Sequence, residues 1–228
     1  MGTPVLLEAL AQEGRFDAAY EILSKTTFPS FGFMIASGAT TMWENWSYEN
    51  GSHCHPMYGS VCDWLYRYAA GIRQDTDSSG FNKITIAPWP GPELTHASAK
   101  VRTLRGQLDV RWEKSGGFSQ VEVDIPVGCS AKIIVPKPNP EKCSLLDSEI
   151  PLNPGKSKFP AGINKVSENR DNFIIDAEAG KYVFTAIDLC KQPLEISKGA
   201  MSMGRSSIIF ASLLSRLKQA SAVSWPSI

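Results

Sequence analysis

The sequence predicts an α+β multidomain fold, in which helices of a closed helical barrel are followed by an antiparallel β-sandwich. Two observations carry this. From Thr3 to about Arg73 apolar residues recur at helical spacing, and from Asp75 onward they fall into short alternating or β-branched runs separated by turn residues. No segment repeats at a fixed period, which favours a closed helical barrel over a solenoid. The chain divides on this reading into a helical part at 1–75, a β-sandwich at 76–190 and a variable tail at 191–228.

Each element has a local reason. Thr3 reads as an N-cap with Pro4 at the first helical position, Leu6, Leu7 and Leu10 form an apolar stripe, and Gly14 ends the helix. A second helix is predicted from Phe16 to about Lys25 through Ala19, Tyr20, Ile22 and Leu23, stopped by Phe28-Pro29. A third runs from Pro56 to about Ile72, with Met57, Val61, Trp64, Leu65, Tyr68 and Ile72 on one core-facing stripe. Asp75 to Gly80 is a polar link. Strands are then expected at Lys83–Ile86, Leu94–Leu104, Leu108–Trp112, Val121–Ile125, Ala131–Val135, Phe173–Ile175 and Tyr182–Phe184. Arg105-Gly106 and Ser115-Gly116-Gly117 supply hairpin turns. Pro136 to Lys165 reads as a long surface excursion with little regular structure. Trp89 and Trp112 are read as core or interdomain contacts. In the tail, Ser206 to Ala222 has an amphipathic helical pattern through Ile208, Ile209, Leu213, Leu214 and Leu217.

Composition excludes some functions. Lys plus Arg and Asp plus Glu are 23 each, so the formal charge is zero and no broad basic field serves nucleic acid. No apolar run reaches the about 18 residues of a membrane-spanning helix, and the first residues lack the pattern of a secretory signal. The native amino terminus, and with it the compartment, is left unassigned, as is the oligomeric state. The cysteines, Cys54, Cys62, Cys129, Cys143 and Cys190, are odd in number and show no CxxC spacing, which argues for reduced thiols. Cys54 and Cys62 flank His55 and, with His53, invite comparison with zinc ligands. Their spacing matches no paired-ligand pattern; Cys62 is read as helix-buried, and no metal or cofactor is assigned.

The segment that carries chemistry is Gly38-Ala39-Thr40-Thr41-Met42-Trp43-Glu44-Asn45-Trp46, followed by Ser52-His53-Cys54-His55-Pro56. It sets a carboxylate between two indoles with histidines nearby, on a stretch too rich in Gly, Thr and Ser for a plain core helix. Aromatic rings pack on the apolar face of a pyranose while a few polar groups fix its hydroxyls, so such a loop offers a sugar both a platform and a base. The alternative is an acidic loop whose tryptophans belong to a core. With Pro56 at the first helical position, His55 becomes the N-cap beside the positive end of the helix dipole, which favours a neutral imidazole and an ionised carboxylate close by.

This motif, with Ser52, His55, Gly59, Ser60 and Val61, then Trp64-Leu65-Tyr66-Arg67-Tyr68 and Ala70-Gly71-Ile72, resembles the end of the catalytic domain of the inverting α-L-rhamnosidases of bacterial and fungal type. Leu6-Leu7-Glu8-Ala9-Leu10, Gly14-Arg15 and Ala19-Tyr20 upstream, and Ile84-Thr85-Ile86-Ala87-Pro88, Pro92 and Leu94-Thr95 downstream, resemble it too. The similarity runs from near Thr3 to about Asp188 and is dense in the first hundred residues. It implies the last helices of an (α/α)6 barrel, a small β-sandwich packed on it, and a rhamnose-containing glycoside or polysaccharide as substrate. Glu44 would be the general base, His55 would hold a sugar hydroxyl or orient Glu44, and Trp46 or, less directly, Trp43 would wall the ring. Inverting hydrolysis needs a second carboxyl group roughly 6.5–9.5 Å away to give the leaving oxygen its proton. Asp17, Glu49 and Asp63 lack a matching context, so the resemblance implies that the acid lies upstream. The chain then reads as a carboxyl-terminal fragment holding half an active site, weakly active or inactive alone. The alternative function is a non-catalytic carbohydrate-binding or scaffold protein that retains the sandwich, and a third is an unstable remnant.

Overall fold

The computed structural model describes residues 3–91, 93–115 and 117–190; the predicted tail at 191–228 and its amphipathic helix lie outside the described residues. Helices α1 (Thr3–Gln12) and α2 (Phe16–Ser24) form the first pair. Between them Gly14 takes a φ of +70°, while its N–H reaches Ala11 O at 3.1 Å and Arg15 N–H reaches Leu10 O at 2.7 Å. Glycine meets no steric penalty there, so the turn closes as the sequence indicates.

A third helix, α3 (Phe31–Ala36), was not expected, because Phe28-Pro29 reads as a stop and six residues carry little periodic signal. Its local determinant is Ser30, whose Oγ accepts from Phe33 N–H at 2.9 Å. Gly32 lets it approach the end of α2, where an added Cβ would lie 2.6 Å from Lys25 O.

The helix predicted from Pro56 to Ile72 is a run of three windings. It is 3₁₀ over Pro56–Gly59, α over Ser60–Trp64 (α4) and π over Leu65–Ala69. Of the predicted stripe, Val61, Trp64 and Tyr68 are buried, whereas Leu65, at the start of the π winding, is 45% exposed and Ala69 is buried. Ile72 belongs to the sheet. The chain escapes the helix at Gly71, at φ +83°, pressed so closely on Ala87-Pro88 that a Cβ would sit 2.2 Å from Pro88 N.

Among the described residues nine strands follow: β1 (Ile72–Gln74), β2 (Lys83–Ile86), β3 (His96–Thr103), β4 (Gly106–Ser115), β5 (Phe118–Pro136), β6 (Cys143–Asp147), β7 (Ile150–Leu152), β8 (Ile163–Glu168) and β9 (Asn172–Asp188). β5 and β9 are each two predicted strands joined through an irregularity. The first half of β5 pairs with β4 and the end of β9, and after the register shift between Ile125 and Ser130 its second half pairs with β2 and the start of β9. In β9 the buried set changes from Phe173, Ile175 and Ala177 to Tyr182, Phe184 and Ala186, an odd-to-even switch across Gly180 at φ +154°. The two long strands thus serve two groups of shorter ones around one shared core, a sandwich-like arrangement.

Two expectations need correction. The sheet is mixed, because β2 runs parallel to β5. The segment Pro136–Lys165 contains β6, β7 and the first residues of β8; short strands bounded by prolines and lysines give weak signals, and β6 is ordered by pairing with β9.

A second core lies among the helices around Leu7, Ala19, Phe31, Met34, Trp43 and Trp64. Buried Trp112 of β4 joins the halves by donating its indole N–H to Ala69 O at 2.7 Å, and Trp89 packs into the helical core. Glu8 of α1 accepts from Arg67 at 2.8 Å and from Tyr68 Oη at 3.0 Å, fixing α1 to the π turn; burial and this bond raise the Tyr68 phenol above its ordinary pKa.

Candidate active site

The loop from Ser37 to His55 leaves α3 through Gly38, at φ +88°, with Ala39 N–H returning to Met34 O at 3.0 Å. Its two arms are cross-tied. His55 N–H donates to Met42 O and Glu44 N–H to Ser52 O, both at 2.8 Å, and the Thr41 hydroxyl donates to His53 O. Glu44 is half-buried, and its Oε2 accepts from Ser52 N–H at 2.8 Å. The carboxylate therefore closes the neck of the tip from Asn45 to Gly51. Gly51, at φ +84°, makes this possible, since a Cβ there would lie 2.5 Å from Asn45 Nδ2 and 3.0 Å from Glu44 Oε2.

The two tryptophans beside Glu44 differ in their surroundings. Trp43 is 3% exposed and belongs to the helical core, so its faces are occupied by protein rather than open to a sugar. Glu44, next in sequence, is half-buried in the loop neck. Trp46 is partly buried and meets Phe31 edge-on, with ring centroids 5.2 Å apart. His55 is half-buried beside the start of the helical run at Pro56.

Sequence reasoning missed Tyr48. The residue is 62% exposed and its ring stacks on His53 at 4.2 Å with an interplanar angle of 22°, while His53 Nε2 lies 2.7 Å from Tyr48 O. Trp43 supports both, 5.3 Å from Tyr48 and 5.7 Å from His53. The only signal in the sequence is a Tyr and a His five residues apart in a turn-rich stretch, which has no period to flag it.

Cys62 is exposed rather than helix-buried, as is Cys54, because α4 turns Val61 and Trp64 inward. Among the described residues no three His, Cys, Asp or Glu side chains converge in a way that could hold a metal ion.

Comparison with known proteins accounts for both halves. Residues 1–69 match the family model of the bacterial α-L-rhamnosidase six-hairpin glycosidase domain, and residues 71–145 match that of the bacterial α-L-rhamnosidase C-terminal domain. An α-L-rhamnosidase of Streptomyces avermitilis is 36% identical over 152 residues, covering 62% of this chain, and one of Formosa agariphila is 33% identical over 196 residues, covering 82%. The chain spans 15% and 20% of the length of these curated relatives. Among solved structures, the α-L-rhamnosidase from Dictyoglumus thermophilum superposes with a TM-score of 0.71 at 30% identity, over 82% of this chain and 21% of that one. The Streptomyces avermitilis α-L-rhamnosidase complexed with L-rhamnose gives 0.65 at 30% identity, over 81% and 17%. Two adjoining domains of one family, matched in the order in which they follow each other here, show that the chain belongs to the bacterial α-L-rhamnosidase family of glycoside hydrolases.

Proposed function

We propose that this chain contributes the general-base half of an inverting α-L-rhamnosidase site, acting on terminal α-L-rhamnose of a glycoside or polysaccharide. In this reading residues 1–75 supply the last helices of an (α/α)6 barrel with the base loop, and residues 76–190 the β-sandwich that closes it. The observation that carries the proposal is the anchoring of Glu44: one carboxylate oxygen is held by Ser52 N–H at 2.8 Å in a half-buried, polar loop neck. That bond fixes the direction of the carboxylate, and a general base needs such positioning toward the proton that it takes.

The proposed reaction uses that geometry. With Oε2 fixed on Ser52 N–H, Oε1 takes a proton from water as the water attacks the anomeric carbon on the face opposite the leaving oxygen. The leaving oxygen receives its proton from a carboxylic acid roughly 6.5–9.5 Å from Glu44. The family resemblance implies that the donor comes from another part of the catalytic domain, and in this reading the chain alone turns over slowly or not at all. His55 holds a sugar hydroxyl or orients Glu44, and Trp46 walls the ring. Trp43 acts only as support.

A chimera tests this. Residues 3–190 replace the equivalent segment of the Streptomyces avermitilis enzyme, and hydrolysis of an aryl α-L-rhamnoside is followed. The expected result is an active chimera whose kcat falls at least about 100-fold on Glu44→Gln, the lower end of what loss of a general base costs. An active chimera indifferent to Glu44→Gln contradicts the proposal. Rhamnose binding that survives the change and maps to the β-strands, in an inactive chimera, favours a carbohydrate-binding role instead.

A further inference from the structure

We infer that residues 206–222 of the tail fold back on the helical half as an amphipathic helix and cover the apolar face that Val5, Leu6, Leu65 and Tyr66 leave open. The occupant is a segment of this same chain, and the inference does not depend on the assignment of Glu44.

The first observation is the face itself. Val5 and Leu6 of α1 are 66% and 42% exposed, and Leu65 and Tyr66 of the π winding are each 45% exposed. Glu8 joins the two elements, since it accepts from both Arg67 and Tyr68. Four large apolar side chains thus stand in water on elements that are tied together, and such a patch marks a contact surface.

The sequence of the tail supplies a matching occupant. Ile209, Phe210, Leu213, Leu214 and Leu217 recur at helical spacing, with Arg205, Arg216 and Lys218 beside them. A lone amphipathic helix of this length is marginal in water and gains its stability from an apolar surface. Charge selects between surfaces. Residues 1–75 carry eight acidic and four basic side chains, a formal −4, whereas residues 191–228 carry five basic and one acidic, a formal +4; residues 76–190 balance at 14 of each. The tail is therefore drawn to the helical half, and a second copy of that half is repelled from it.

The route is short. Asp188 N–H, at the end of β9, donates to Gly117 O at 2.8 Å, beside the end of β4. There Lys114 donates to Pro90 O at 3.0 Å, one residue beyond Trp89, which packs on Phe16 and Tyr20 of α2. The tail departs from the end of the sheet that meets the helices. Residues 191–205 reach at most about 50 Å and a helix over 206–222 extends about 25 Å, enough to lie along α1. Tethering makes the encounter intramolecular, so the chain's own tail occupies the face ahead of a free partner.

Amide hydrogen exchange of the full chain, read by mass spectrometry, tests this. Residues 206–222 should be protected, independently of protein concentration. Leu213→Asp with Leu217→Asp should speed exchange at least about tenfold within 206–222 and also in α1 and the π winding, as the loss of one decade in the closing equilibrium gives. Val5→Ser with Tyr66→Ser should release 206–222 from the other side. Unchanged protection of β5 and β9 would show that both variants remain folded, and the tail pair decides the question by itself where the face pair unfolds the chain. Added salt should weaken the protection of 206–222. Exchange over 206–222 at the rate of an unfolded peptide, or α1 and π-winding amides indifferent to the tail substitutions, would overturn the inference. So would protection that grows with protein concentration, the mark of a second copy on the face.

Discussion

The sheet buries a large core of its own, whereas the helices next to the candidate base do not. Around β5 and β9, side chains such as Ile86, Leu108, Ile133, Ile175 and Phe184 are wholly or almost wholly withdrawn from water, and paired strands satisfy the backbone. The helical half has a smaller core, and its α-helices are at most ten residues long, below the length at which isolated helices persist in water. It leaves Val5, Leu6, Phe28, Ile35, Leu65 and Tyr66 at 42–70% exposure. Trp64 Nε1 is buried there without an acceptor among the described residues. The helical half therefore depends on what it packs against, and within this chain that is chiefly the sheet, through Trp112, Trp89 and Gly71.

Changes at four residues would break or sharpen the contrast. Phe184→Ala, at 0% exposure, should cost about 3–5 kcal/mol and melt both halves together, because the helices lose their support. Far-ultraviolet circular dichroism and tryptophan fluorescence, which reports mainly on the helical side, should then shift in step. Trp112→Phe removes the bond to Ala69 O and should cost about 1–3 kcal/mol, much of it from a carbonyl left without its buried partner. Here the fluorescence transition should fall below the sheet transition; coincident transitions would show the two halves to be one cooperative unit without that bond. Gly51→Ala, at φ +84° and 3.0 Å from Glu44 Oε2, should cost about 1–2 kcal/mol and displace the carboxylate, so a chimera should lose kcat with little change in the sheet.

The smallest effect is electrostatic and confined to the sheet. Burial in β4, with Glu122 adding to it, holds the Glu113 carboxyl above its ordinary pKa against the opposing pull of Arg111 and His96. A raised folded-state pKa favours the protonated form, so this contribution is fully present at acid pH and is lost as pH rises through the raised value. Glu113→Gln should leave the melting temperature unchanged near pH 4 and raise it slightly near pH 7. A uniform shift at both pH values would point to packing instead.

Where local chemistry decided the structure, it was legible. Gly14, Lys83–Ile86 and the Arg105-Gly106 turn follow from propensity alone, and the Glu44 loop was found from residue types and spacing. The parts that escaped depend on distant partners. Nothing near Ile125 or Gly180 announces that one strand will serve two groups of neighbours, and β6 exists because β9 is there to receive it. The π winding over Leu65–Ala69 is a detail that sequence periodicity does not resolve. Within the loop the motif singled out Glu44, while the order of the rings around it was not legible. Burial of Trp43 and exposure of Tyr48 depend on how the loop arms pair, through Met42 with His55 and Glu44 with Ser52.

The most direct test of the central claim is the anomer first released by the chimera from an aryl α-L-rhamnoside, followed by proton NMR before mutarotation. Water activated by Glu44 on the face opposite the leaving oxygen should give β-L-rhamnose first, and Glu44→Gln should suppress its appearance. Release of α-L-rhamnose first, or unchanged release of either anomer by the Glu44→Gln variant, would contradict the account.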